Sequence, residues 1–112
     1  MRTVELTREL VLEAPVETPD GRGGRRREWR ELGTLWADMR PRSGREARGE
    51  GVRLSLSSWR ILVRASPVGA ESRPRPGQRF REGERVFDIL AVTETDGGAR
   101  WLTCLAEEER SA

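Results

Sequence analysis

Proline and glycine clusters cut this chain into short pieces, and between them polarity alternates residue by residue instead of recurring every three or four positions. The breakers fall at Pro19-Asp20-Gly21-Arg22-Gly23-Gly24, across 41–51 with Pro41, Gly44, Gly49 and Gly51, across 66–78 with Pro67, Pro74, Pro76 and Gly77, and at Asp96-Gly97-Gly98. Glycine and proline are the poorest helix formers, and with aspartate they are the commonest turn residues. The chain therefore offers no stretch suited to a long helix and several suited to strands.

Leu10, Leu12 and Ala14 alternate up to Pro15 and read as a first strand, in preference to a short helix with Leu6, Leu10 and Val11 on one side. Trp29 to Arg40 reads as a long second strand, with Leu35, Ala37 and Met39 on one face and Thr34, Trp36, Asp38 and Arg40 on the other. Trp36 then covers a second side of the core or sits in a subunit interface, where large aromatics with a polar edge are enriched. Val52, Leu54 and Leu56 lie in one phase and Trp59, Ile61 and Val63 in the other, which implies a bulge or bend between them. Arg85 to Thr95 and Arg100 to Glu107, joined at Asp96-Gly97-Gly98, give the clearest hairpin signal, with Phe87, Ile89 and Ala91 expected on one face. The segments 41–51 and 66–78 are expected to be extended, exposed loops, the first of them mobile.

The resulting expectation is a single all-β domain over residues 1–112, a small antiparallel barrel or sandwich of five to six strands with long mobile loops. Hydrophobic residues make up 35% of the chain and charged residues 36%. So thin a core predicts that surface is buried against partners. No apolar run approaches the roughly 18 residues that span a bilayer, and Met1-Arg2-Thr3-Val4-Glu5 lacks the apolar segment of a secretory signal. The expectation is a soluble protein, intracellular when made, with no membrane partner.

The chain contains no histidine, lysine or tyrosine and one cysteine, Cys104. This removes the groups of most acid/base, nucleophilic and Cys/His metal sites, so no catalytic, cofactor-binding or metal residues are expected and the protein is read as a non-enzyme. Cys104 lies in the apolar run Trp101-Leu102-Thr103-Cys104-Leu105-Ala106 and reads as a small buried hydrophobe. Glu82, Glu84 and the run Glu107-Glu108-Glu109 read as solvated surface. Gly21-Arg22-Gly23-Gly24 has neither the Gly-Lys-Ser/Thr nor the following helix of a phosphate-binding loop.

All 21 basic residues are arginine. A GC-rich coding bias explains this more simply than selection for the guanidinium fork, although that fork does suit phosphate and carboxylate partners. Their placement is uneven. From Gly21 to Arg48 there are nine arginines against Glu28, Glu31, Asp38 and Glu46, whereas from Glu94 to Ala112 there are five acids against Arg100 and Arg110. One basic and one acidic region suit head-to-tail contact with further copies, or stacking between two different partners.

Several pieces in order carry a resemblance to a known family. They are Glu13-Ala14-Pro15-Val16-Glu17, the turn Asp20 to Gly24, Glu28-Trp29, Leu35-Trp36-Ala37-Asp38-Met39-Arg40-Pro41 and Ser43-Gly44-Arg45-Glu46, then Trp59-Arg60-Ile61-Leu62-Val63-Arg64 and Gly83-Glu84-Arg85-Val86-Phe87-Asp88-Ile89. Over roughly Arg8 to Glu109 the chain resembles the head-tail joining proteins, adaptor or head-completion stopper, of tailed bacteriophages and gene transfer agents. It departs from that pattern at Ala47-Arg48-Gly49-Glu50-Gly51 and in the length of Ser66 to Gln78. The resemblance implies a β-barrel-like virion subunit made in the bacterial cytoplasm and placed at the particle neck. It implies a homo-oligomeric ring, on the order of six or twelve copies, with the portal or adaptor on the head side and the tail terminator or tail tube on the other. Such a ring would help retain DNA. Arg42, Arg45 and Arg48, in a segment with no core role, are the candidates for lumen or partner contact, including non-specific contact with packaged DNA phosphates. The competing reading is a small basic nucleic-acid-binding barrel, with Arg25-Arg26-Arg27 on phosphates and Trp29 stacked on a base.

Overall fold

The structure is a computed structural model and describes residues 3–42, 57–98 and 100–109. Six strands run in chain order: β1 (Arg8–Pro19), β2 (Arg25–Pro41), β3 (Ser58–Arg64), β4 (Arg79–Glu82), β5 (Arg85–Thr95) and β6 (Trp101–Glu108). Every pairing is antiparallel, and the sheet closes on itself in the order β1-β2-β3-β6-β5-β4. The alternating pattern thus resolves to the barrel form of the all-β expectation.

Alternation builds the core directly. Leu10 and Leu12 of β1, Ala37 of β2, Ile61 and Val63 of β3, Phe80 of β4, Phe87 and Ile89 of β5, and Leu102, Cys104 and Ala106 of β6 point inward and are buried. Pro74, from the segment between β3 and β4, is also fully buried. That segment forms no strand but is held to the barrel, Gly77 N donating to Ile89 O at 3.0 Å and Ile89 N to Gln78 O at 3.0 Å, while within it an Arg73 guanidinium nitrogen donates to Ser66 O at 2.8 Å.

Two bulges reshape the alternation. In β1–β2 the register passes from Leu12↔Gly33 to Glu13↔Glu31, so Leu32 is the extra residue, and the neighbouring Gly33 takes φ +146°. In β5–β6 it passes from Ile89↔Ala106 to Ala91↔Leu105, leaving Leu90 extra. An extra residue reverses which side chains face inward. Beyond Leu90 it is therefore Val92, not Ala91 as the plain alternation implied, that packs against the core, and Leu90 is pushed out to 53% exposure.

The turns follow local chemistry. The Asp20 carboxylate accepts from Arg22 N at 2.8 Å and Gly24 N at 3.0 Å, while Gly21 and Gly23 adopt positive φ. At the β5–β6 turn Asp96 and Gly97 take consecutive left-handed conformations, φ 56° and 76°, which Asp-Gly reaches at least cost. The predicted shift of phase after Leu56 involves 52–56, outside the described residues.

Candidate assembly surfaces

Barrel closure depends on a short seam. β1 and β4 share the pairs Val11↔Arg81, Leu12↔Phe80 and Glu13↔Arg79. Because Leu12 and Phe80 face inward, Glu13, Arg79 and Arg81 face outward together, and their charges fasten the seam. The Glu13 carboxylate accepts from Arg79 Nε at 2.7 Å and Arg81 Nε at 2.9 Å, with its side chain 6% exposed. Desolvation pushes this carboxyl up, but the hydrogen bonds from Arg81 and Arg79 outweigh it and hold Glu13 below its ordinary value. Arg81 also reaches Glu31 at 2.8 Å, and the Arg79 guanidinium lies 4.1 Å from the centroid of the Trp29 ring.

One bidentate pair extends the seam and a second ties β5 to β6. Arg8 grips Glu82 through two contacts of 2.7 Å, and Arg85 grips Glu108 at 2.7 and 3.1 Å, with Trp59 Nε1 donating to Glu108 at 3.3 Å. Hydrogen bonds from the arginines hold both carboxyls below their ordinary values. Glu82 and Glu108 are therefore structural anions, a correction to their reading as merely solvated surface. Behind them the Trp59 and Phe87 rings meet edge to face, with centroids 6.0 Å apart.

Trp36 points away from the core at 52% exposure, opposite Glu9 of β1. Asp38, on the same face, is nevertheless buried, because the strand preceding residues fold over it: Glu5 N donates to its carboxylate at 2.9 Å, and Arg40 bridges it at 2.7 Å to Thr3 O at 3.0 Å. Arg42 follows β2, and its backbone N donates to Ser58 O at 3.0 Å. Arg45 and Arg48 lie outside the described residues. Cys104 is buried as expected, and desolvation pushes its thiol up to about 12, so it is a packing residue and a poor nucleophile. Trp29 already carries Arg79 on its ring, which disfavours the base-stacking role.

A second outer feature is a groove of about 480 Å³ lined by Arg27, Trp29, Gln78, Asp88, Leu90 and Glu109. Desolvation, together with the facing Glu109 carboxyl, raises Asp88 to about 6, against the opposing pull of Arg79. Among the described residues no group of three or more His, Cys, Asp or Glu is arranged to hold a metal ion.

A closed barrel fastened by outward ion pairs, with aromatic and charged side chains outside, defines a small all-β module. The family model described as phage head completion protein matches residues 1–109, and the chain belongs to that family. A chain from a structure of the virion of a native gene transfer agent particle is 47% identical, at TM-score 0.72, over 94% of this chain and 96% of that one. The solution structure of protein SF1141 from Shigella flexneri 2a shares the fold at TM-score 0.72 and 23% identity, with both chains fully covered. No curated protein matches this chain.

Proposed function

We propose that this protein is a structural, non-enzymatic component of the head-tail connector of a tailed phage or gene transfer agent particle. Copies form a ring at the neck that joins the DNA-filled head, through its portal or adaptor, to the tail terminator or tail tube, and that ring helps retain DNA. The observation that carries this reading is the family match over 1–109 combined with 47% identity to a chain of a gene transfer agent virion. The physical features agree with it. A thin core is tolerated when neighbouring copies bury further surface, and an outward Trp36 supplies an aromatic contact for such an interface. Arg42, Arg45 and Arg48 face the lumen or a partner in this reading, and reversing the charge of Arg45 and Arg48 is expected to impair assembly or DNA retention.

The test is electron microscopy of particles from a producing strain with this gene deleted. Separate heads and tails, with heads emptied of DNA, are expected. Normal tailed particles would contradict the joining role.

A further inference from the structure

Past the barrel, β1 and β2 continue as a pair. The β4 partner of β1 ends at Glu13↔Arg79, and the β3 partner of β2 begins at Ala37↔Val63. Residues 14–19 and 25–36 thus form a ribbon that, among the described residues, has no strand on either outer edge. A two-stranded ribbon buries little of its own surface and is marginal without a further partner. The end of this one is basic, with five arginines between Asp20 and Arg30 against the acids Asp20 and Glu28. Arg25 and Arg26 are exposed, and their contacts with Glu17 at 3.7 Å and Glu28 at 3.6 Å are long and solvated. Such contacts hold a guanidinium weakly and leave it available.

The complementary carboxylates lie on the other half of the chain. From Arg85 to Glu109 there are six carboxylates against two arginines. In the groove beside β5, Asp88 and Glu109 face one another; Arg79, whose charge acts on Asp88, is committed to Glu13 and Trp29, and Arg27, which also lines the groove, lies 5.9 Å from the centroid of the Trp29 ring. The bulge sets Leu90 at the rim. Paired carboxylates next to exposed apolar surface fit a guanidinium on an aliphatic stem.

We propose that the arginine-rich end of the β1–β2 ribbon docks in the Trp29–Leu90 groove of a second copy of this chain, Arg25 and Arg26 reaching the carboxylates of Asp88 and Glu109. The arginines stand at the tip of the ribbon and the carboxylates beside β5, two different places on one molecule, so the contact is heterologous and repeats from copy to copy, the type that closes a ring. The inference rests on the connector reading above and names the contact between its copies.

The test uses the deletion strain, complemented with R25E/R26E, with D88R/E109R, or with both genes together. Each variant alone meets like charge at every contact, and the yield of tailed particles is expected to fall by at least about tenfold. Together, each reversed ribbon meets a reversed groove, and yield is expected to recover. Full yield from either variant alone overturns the proposal, as does failure of the pair to recover when both purified variants melt like wild type. Should D88R/E109R melt early, D88N/E109Q replaces it; loss of yield supports the contact and unchanged yield overturns it. Normal particles from the deletion strain itself would instead sink the connector reading.

Discussion

Replacing Glu13 with alanine is expected to destabilise the protein by about 3 kcal/mol, because it strips the shared partner from two arginines at the barrel seam. Breaking a buried pair costs more than the pair is worth, since the remaining charge stays desolvated. Arg79 and Arg81 retain 17% and 30% side-chain exposure, so water recovers part of the loss and the effect sits at the low end of the roughly 3–5 kcal/mol that breaking a buried pair costs. For a domain of this size that lowers the melting temperature by on the order of 15 °C. Thermal denaturation followed by circular dichroism measures it, and an unchanged melting curve would show that the seam does not depend on Glu13. The acid behaviour follows with a definite sign. Glu13 is held below the usual 4.5, so the stability it confers is complete above that pH and is lost as pH falls through the lower folded value. Glu13→Ala should lack that component of acid sensitivity.

Phe80→Ala is expected to cost about 3–5 kcal/mol, the range for removing a buried phenylalanine. Phe80 is fully buried between its strand partners Leu12 and Phe87, and it is the one buried residue of β4. β4 has only four residues, so losing its anchor leaves little to keep the sheet closed. Urea denaturation gives the value directly. Val68→Ala, at a position 83% exposed, serves as the comparison and is expected to change stability by less than about 0.5 kcal/mol. Equal effects at the two positions would mean that the barrel is not the cooperative unit.

β4 is also the element hardest to see in the sequence. Arg79-Phe80-Arg81-Glu82 carries a single apolar residue between a proline-rich segment and the Gly83-Glu84 turn, too little for alternation to register. Its position comes from pairing with β5 on one side and, across the closure, with β1 on the other. The longer strands were legible because alternation recurs over many residues, and the Asp96-Gly97 turn because its backbone demands those residue types. The bulge at Leu90 was not, since Ile89-Leu90-Ala91-Val92 is apolar throughout and fits either phase. Trp36 could be placed opposite Ala37 by alternation, but the burial of Asp38 on that outward face depends on Arg40 and the residues before β1, which no local pattern reveals. The same holds for Glu13, whose arginine partners lie 66 and 68 residues away along the chain.

The most direct test of the connector account is a cryo-electron microscopy reconstruction of the neck of intact particles. The account predicts copies of this six-stranded barrel encircling the channel between portal and tail, with neighbouring barrels in contact. A neck whose density is fully explained by other proteins, or this barrel located only in the capsid shell, would contradict it.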